Sequence, residues 1–410
     1  MANAQDIPAP LATAAKRANP MADRLSAQVT SELKPLRDLW LALEANPAMA
    51  FHQSRAWVEA WVQGTGAELA VVSLEQDGVP FAILPLEIDK MGGLKIARFA
   101  GTAHSNENTG LINTAKQNRI GPVSAAQLAA ALTRAGLAAD IVLFDKMTPE
   151  AAARAPFSEL PRVFHQNPSF QLPLFEDFNA VLAQINGKRR RKKFRVSERR
   201  LEAMGGYRHI TGTTDAEALR LLDTFLEQKP ARLTAQGLPD VFADPGIRAF
   251  LRRLATTRDA EGRAALELHG IELCGGEHAG RIISVAGLTI KDRHVTCQFG
   301  SIDEEIAADV SAGELLFYRM IEGASAAGHK VFDFGVGDQL YKRSWCPQRT
   351  ELLDCYVPLN LKGRLAAPLI AGLIRLKRTI KTSPTLHRIA ARARSLIVRK
   401  PRPAAEAEAD

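Results

Sequence analysis

Cysteine, aromatic residues and long apolar runs are all scarce in this chain, and each scarcity excludes something. Only four cysteines occur, Cys274, Cys297, Cys346 and Cys355, with no Cys-x-x-Cys pair and no histidine at finger-like spacing. That excludes a zinc finger or a disulfide scaffold, so no metal is expected and the thiols read as reduced core residues of a cytoplasmic protein. The longest apolar runs, such as Ala366 to Ile374, fall far short of the ~20 residues that span a bilayer, so no transmembrane helix is expected. Met1 to Pro20 is rich in Ala and Pro and lacks a basic start followed by an apolar core, which excludes a secretory signal and reads as part of a flexible leader over residues 1–30. Aromatics make up 6% of the chain, and the one strongly basic internal run has only Phe194 within it, so stacking on nucleic-acid bases is poorly supported.

What is present is apolar enough for two ordinary cores: 46% of 410 residues. The formal charge of +8 is not spread evenly. From Leu361 onward there are 12 Lys/Arg against Glu406, Glu408 and Asp410, so the rest of the chain is close to neutral. A second basic focus is Lys188-Arg189-Arg190-Arg191-Lys192-Lys193 with Arg195, inside a segment that reads as one long helix over Phe178 to Met204. Charge of this kind suits nucleic-acid phosphates, an anionic membrane surface, or a solvated helix framing a negative substrate.

Hydrophobic periodicity predicts helices over Ser31 to Glu44 and Ser54 to Gln63, then strands over Glu68 to Glu75, Val79 to Ile88 and Leu94 to Ala100. Asp77-Gly78 marks the first hairpin, because a tight turn needs positive φ. A helix at Ser124 to Ala135 and a strand at Asp140 to Phe144 follow. The second half repeats the order: helices Ala216 to Glu227 and Pro245 to Ala255, strands Ala265 to Leu273, Gly280 to Ile290 and His294 to Gly300, helix Gly313 to Ala327, strand Val331 to Phe334. A helical turn near Leu340 to Trp345 and a last strand, Leu352 to Val357, complete it. No residue-level identity links the halves, so the repeat is one of pattern. The proline-rich stretch Pro149 to Pro173 reads as a crossover or linker between them.

The most informative motif is Ser311-Ala312-Gly313-Glu314 opening a helix. Unpaired amides and the helix dipole favour an anion there, while Ser-x-x-Glu is equally a capping box that serves only the helix. In the first half, the loop Gly101 to Gly110 carries His104, Asn106, Glu107 and Asn108, side chains suited to binding an amine or a sugar. His104 and Glu107 are its candidate bases, and a plain polar loop is the alternative. Lys229 and Arg232, three residues apart on a helix, either face an anionic substrate or simply favour the helix end. Beyond residue 361, Leu369, Ile370, Leu373, Leu376 and Ile380 form a stripe beside basic residues, and Ser383-Pro384 opens a second such helix with Leu386, Ile389, Ala393 and Leu396. Basic amphipathic helices over 361–402 suit an anionic membrane, at the inner face for a cytoplasmic protein, or dock on the protein itself.

These stretches, above all Gly328-His-Lys-Val-Phe-Asp333-Phe-Gly335-Val-Gly337-Asp338 with Tyr341-Lys342 and Trp345, resemble the GNAT superfamily of N-acyltransferases. The chain as a whole resembles its CelD-like bacterial group, named after cellulose biosynthesis and related to the Fem-type aminoacyl transferases. Lys229-Pro-Ala-Arg232 with Gly237, Phe242-Ala-Asp244-Pro245, Gly276 to Leu288, and, more loosely, Phe51-His-Gln-Ser54 with Trp57 carry the rest of the match. The resemblance implies an α/β fold of the α+β type: two tandem GNAT-like domains, 31–175 on the acceptor side and 176–360 as the acyltransferase, followed by a basic tail over 361–410.

The same resemblance implies acetyl-CoA or another acyl-CoA as donor and a small amine or sugar, such as a surface-polysaccharide precursor, as acceptor. Phe299 and Gly300 would offer backbone groups to the donor arm, and Ser311, Ala312, Gly313 and Glu314 would meet its diphosphate; Lys342 contacts a phosphate or a substrate carboxylate, or is a solvated surface lysine. Tyr341 would protonate the leaving thiolate, or only caps the sheet with Trp345. Asp333 and Asp338 are candidates to act as base or orient the amine, Asp333 lying on the opposite alternation from Phe332 and Phe334, on a face that is either cleft or solvent. One departure stands out: the glycine-rich Gln/Arg-x-x-Gly-x-Gly/Ala signature of acetyl-CoA users is reduced to Asp309-Val-Ser311-Ala-Gly313. An aminoacyl-tRNA donor contacting the Lys188 run, or a catalytically silent scaffold at a membrane, are the alternatives.

Overall fold

The computed structural model describes residues 25–235 and 238–383. The chain runs β1 (Leu25–Thr30), α1 (Arg37–Glu44), α2 (Arg55–Thr65), β2 (Leu69–Gln76), β3 (Val79–Met91), β4 (Leu94–Phe99), β5 (Leu111–Ile112), α3 (Ala125–Arg134), β6 (Ile141–Met147), α4 (Pro149–Ala152), β7 (Arg162–Phe164) and β8 (Ser169–Pro173). It continues through α5 (Phe178–Ala183), α6 (Gly187–Ala203), β9 (Tyr207–Thr211), α7 (Asp215–Ala235), α8 (Pro245–Thr256), β10 (Glu267–Leu273), β11 (Ile282–Lys291) and β12 (His294–Ile302). The last elements are α9 (Ala307–Val310), α10 (Ala312–Ala326), β13 (Val331–Val336), α11 (Leu340–Trp345), β14 (Gln348–Thr350), β15 (Leu353–Pro358) and α12 (Leu361–Thr382).

Two mixed sheets result. The first has the order β1-β2-β3-β4-β6-β15-β7 with β5 on β3, and the second β14-β8-β13-β12-β11-β10-β9. Each contains one parallel pair, β4 with β6 and β12 with β13, at the same point of the repeated pattern. Asp77 and Gly78 both take positive φ at the β2–β3 turn, as the hairpin signal requires.

Several expectations are corrected. Strand β15, expected to finish the second half, pairs with β6 and β7 in the first sheet, while β8, read as part of a linker, pairs with β13 and β14 in the second. The two halves therefore exchange strands, and a boundary at residues 175/176 does not separate the sheets. The expected leader contributes β1, paired along its length with β2; residues 1–24 lie outside the described part. The single helix expected over Phe178 to Met204 is broken. Asn186 caps α6 by accepting from the Arg189 amide, and Gly187 packs so tightly on Leu182 that a Cβ would lie 2.7 Å from its carbonyl oxygen.

The halves share a core. Trp40, Trp57, Val58 and Trp61 from α1 and α2 interdigitate with Leu222, Phe225, Phe250 and Leu254 from α7 and α8, between Val71 and Ile83 of one sheet and Val285 and Phe299 of the other. Helices α2 and α8 come so close that a Cβ on Gly64 would stand 2.5 Å from the Phe250 nitrogen. Other cores lie between the first sheet and α3, and between the second sheet and α5, α6 and α10. Because fully buried Val357 of β15 belongs to the first of these, Val357→Asp places an unpaired charge there. It is expected to cost at least about 2 kcal/mol, read by urea unfolding followed through tryptophan fluorescence, three of the four tryptophans being in the first half.

Candidate active site

The loop after β4 is fixed in place before it presents anything. Lys146, at φ 54° in β6, turns its buried ammonium onto the carbonyls of Thr102 and Ser105, and Thr102 donates to Asp145 at 2.6 Å. Asn108, expected to bind acceptor, is fully buried and spent. It accepts from Gln53 at 2.8 Å and donates to Thr102 and to the Asp145 carbonyl. His104 wedges between Trp61 and Phe242, ring centroids 5.9 and 5.7 Å away, and burial drives its pKa down to about 4, so it is neutral and faces aromatic rings. That leaves Asn106 and Glu107 facing the second half.

In the second sheet, β12 and β13 run parallel from His294 opposite Val331 to Thr296 opposite Asp333, and no ladder continues beyond. Asn106 bridges the divergence. Its carbonyl oxygen accepts from the Val336 amide at 3.0 Å and its amide donates to Gln298 at 2.8 Å, so close to Gly335 that any Cβ there would overlap it. Lys342 reaches the same strand end, donating to the carbonyls of Gly335 and Val336 at 3.1 and 2.8 Å. It was expected to meet a phosphate; instead it is buried, and burial lowers its pKa to about 8.

Strand alternation divides the residues around this opening between two faces. Val295, Cys297, Phe332 and Phe334 face α10 in the core, whereas His294, Thr296 and Val331 line a cavity of about 330 Å³ between the halves, with Glu107, Glu150, Arg154, Gln171, Lys291 and Thr350. At its wall Asp333, 1% exposed, accepts from Ser169 (3.0 Å), Gln171 (2.9 Å) and the Gly335 amide (2.6 Å), and His294 Nε2 stands 3.3 Å from its Oδ2. Burial acts to raise the Asp333 carboxyl, but its hydrogen bonds and His294 prevail and hold it below the usual range. Burial would lower His294; the charges of Glu107 and Asp333 outweigh it and lift the imidazole to about 9. Glu107 is raised, chiefly by burial and further by Asp333 and Glu150, with His294 opposing. A cationic His294 thus stands with an ionised Asp333, near a Glu107 whose affinity for protons is increased.

On the α10 face, Tyr341 stacks on Phe317, centroids 5.5 Å apart, and burial pushes its phenol upward, so it is protonated at neutral pH. The capping box is not formed. Ser311 takes φ 54° and gives no side-chain cap, and Glu314 instead pairs with Arg190 and Lys193 of α6. Arg190, the buried member of the basic run, also bonds Ser344 and lies 4.0 Å over the Trp345 ring. Ala312 is buried and Gly313 abuts Ile302, which leaves Ser311 as the partly open side chain of that turn. Phe299 is buried against Phe225, and the Gly300 carbonyl accepts from Lys229 at 2.8 Å. Lys229 is therefore committed to a strand, and Arg232 pairs with Glu304. Asp338 is held by Arg343 away from the cavity. Phe194 stacks on Tyr318 within the fold.

Of the expected residues, Glu107 lines the cavity, Asp333 is buried behind its Gln171 and His294, and Asn106 and Lys342 share the strand opening, while Tyr341 and Ser311 lie on the other face. Asp338, Asn108, Lys229 and Arg232 are engaged elsewhere. His294, Gln298 and Lys146 were missed. The alternation that put Asp333 opposite its neighbouring phenylalanines also puts His294 on the cavity face, and that was the available signal. Among the described residues no cluster of His, Cys, Asp and Glu is arranged to hold a metal.

Comparison with known proteins gives a family and a fold. The acetyltransferase (GNAT) domain family matches residues 188–343. The crystal structure of FemX superposes with a TM-score of 0.57 at 14% identity, over 84% of this chain and 100% of that one. A tandem GNAT protein from the clavulanic acid biosynthesis pathway gives 0.45 at 13% identity over 82% and 99%. L-PGS from Bacillus licheniformis gives 0.47 at 11% over 78% and 97%. No curated protein matches in sequence. Residues 188–343 thus match a GNAT domain family, and the chain shares the fold of FemX.

Two outcomes are expected. His294 binds its proton more tightly folded than unfolded, so its contribution to stability is complete below its ordinary pKa of 6.5 and is lost as pH rises through about 9. His294→Asn should flatten the decline in unfolding free energy across that window by on the order of 2 kcal/mol, measured by urea titration at stepped pH. Arg190→Ala should cost about 2–4 kcal/mol through loss of its buried partners, whereas Arg189→Ala on the exposed side should stay within about 0.5, by the same titration at one pH.

Proposed function

We propose that the chain is an N-acyltransferase that moves an acyl group from acyl-CoA, held on the α10 face of the second sheet, to an amine seated in the cavity between the halves. The observation that supports this reading is the juxtaposition of Glu107 from the first half with the His294–Asp333 pair from the second, on the sheet face opposite Tyr341. In this reading donor and acceptor meet where β12 and β13 part, at the opening bridged by Asn106 and Lys342.

In this reading Glu107 takes one proton from the neutral amine as it attacks, burial having raised the affinity of its carboxyl for protons. His294, kept cationic by Glu107 and Asp333, faces the negative charge that develops on the carbonyl oxygen. The amine nitrogen forms the C–N bond, the C–S bond breaks, and the Tyr341 hydroxyl gives its proton to the thiolate. Backbone groups near Phe299 and Gly300 and the α10 turn at Ser311 would hold the donor. The polar lining by Thr109, Thr148, Gln171, Thr296 and Thr350 fits a hydroxyl-rich acceptor such as an amino sugar of an envelope or polysaccharide precursor.

A second reading, with an aminoacyl-tRNA as donor, is favoured by one feature: Lys188, Arg189, Arg191, Lys192 and Arg195 are exposed along α6. Salt-sensitive tRNA binding lost in a variant that neutralises these five but spares Arg190 would select it.

Calorimetry with acetyl-CoA and longer acyl-CoAs tests the main reading. Wild type and Glu107→Gln should bind the donor alike, while acyl transfer to a panel of amino sugars falls by about 10²-fold or more in the variant with KM little changed. Absence of binding to every acyl-CoA would overturn it.

A further inference from the structure

Helix α12 has an outer surface that the acyltransfer reading does not use. Its inner side is small and closely seated. Gly363, Ala367 and Ala371 are buried on the first sheet, and a Cβ on Gly363 would stand 1.9 Å from the Asp140 carbonyl oxygen. Asn360 caps its start by accepting from the Gly363 amide at 3.0 Å. Arg378 bonds Glu351 and the His165 carbonyl near its end, at 2.7 and 2.9 Å. The helix is therefore fixed, and the side it turns outward is set by packing.

That side is apolar. Leu361, Leu365, Leu369, Leu373 and Leu376 are 72, 66, 69, 56 and 54% exposed, a continuous strip at four- and three-residue spacing, and Phe164 beneath Arg378 adds to it at 54%. Isolated exposed leucines need no explanation, but a run of five on one helix marks a contact surface. Lys362, Arg364, Arg375 and Lys377 are exposed around the strip, and 361–383 contains no acidic residue.

We propose that this face of α12 lies in the interface of an anionic lipid surface, leucines toward the acyl chains and basic side chains at the headgroups. Charge selects this occupant. Residues 384–402 carry six Lys/Arg and no acid, so folding them onto α12 sets like charges together. A second copy pairing through the same face meets the same repulsion, whereas anionic headgroups complement every basic group at once. No described helix is long and apolar enough to cross a membrane, and at about 33 Å long α12 would lie in the surface plane. The second helix expected from Ser383-Pro384 lies outside the described residues.

The test is sedimentation of the full chain with phosphatidylcholine vesicles, with and without about one-third phosphatidylglycerol, at about 0.1 and 0.5 M salt. Binding is expected for anionic vesicles only, weakened by salt. It should fall at least about tenfold in Leu365→Ser/Leu369→Ser/Leu373→Ser and again in Arg375→Glu/Lys377→Glu, with melting temperatures unchanged because all five side chains are exposed. Failure to bind anionic vesicles overturns the proposal, as does binding by both variants equal to that of the wild type. A dimer in light scattering that the leucine variant dissociates overturns it in favour of a second copy. Because vesicle binding and acyl-CoA binding are read separately, either can fail without the other.

Discussion

The rest of the structure depends on each sheet being completed by a strand from the other half of the chain. β15 sits between β6 and β7, and β8 between β13 and β14. Exchanged strands hydrogen-bond along their length, so the halves cannot hinge apart without breaking ladders in both sheets. The aromatic core shared by α2, α7 and α8 adds close-packed contact that resists sliding. Inter-domain surfaces in one chain ordinarily permit motion. Here the seam is as well tied as a domain interior, and that lets it carry a site assembled from both sides.

Burying Glu107, His294 and Asp333 near one another is costly unless each charge is answered. Asp333 is answered fully: two side-chain donors, a backbone amide and an imidazole occupy its oxygens. His294 is answered by carboxylates from two separate elements. The shortfall falls on Glu107, whose carboxyl is raised and opens onto the cavity. Oppositely shifted neighbours beside a cavity mark a candidate functional cluster. Arg190 with Glu314 and Trp345 is of the structural kind, each partner closed off by packing.

Local signals in the sequence were read correctly where the chain decides locally. Ser54 caps α2, the Asp77-Gly78 turn forms, and the three-strand meanders appear in both halves. What was not legible concerns partners. The alternation in Leu353 to Pro358 announces a strand but not which sheet receives it. Ser311 to Glu314 matches a capping box, yet Glu314 finds Arg190 and Lys193 from a distant helix and the motif gives way to tertiary context. Lys342 looked like a surface cation because nothing nearby in sequence reveals that β13 ends in carbonyls needing a donor. Glu107 and Asp333 were each legible as chemistry-bearing residues; the His294 between them required knowing that a loop and a strand so far apart in sequence come together.

Strand exchange also bears on how the chain is made. Phe144 pairs with Cys355, roughly two hundred residues later, so the first sheet must wait for the end of the second half to be synthesised before the gap between β6 and β7 closes. Until then β6 presents an unpaired edge rich in Ile, Val, Leu and Phe, the kind of surface that recruits a neighbouring nascent chain. Close spacing of ribosomes on one message would set such edges side by side. The architecture that ties the mature seam together thus leaves one edge of the growing chain unpaired until its last strands emerge.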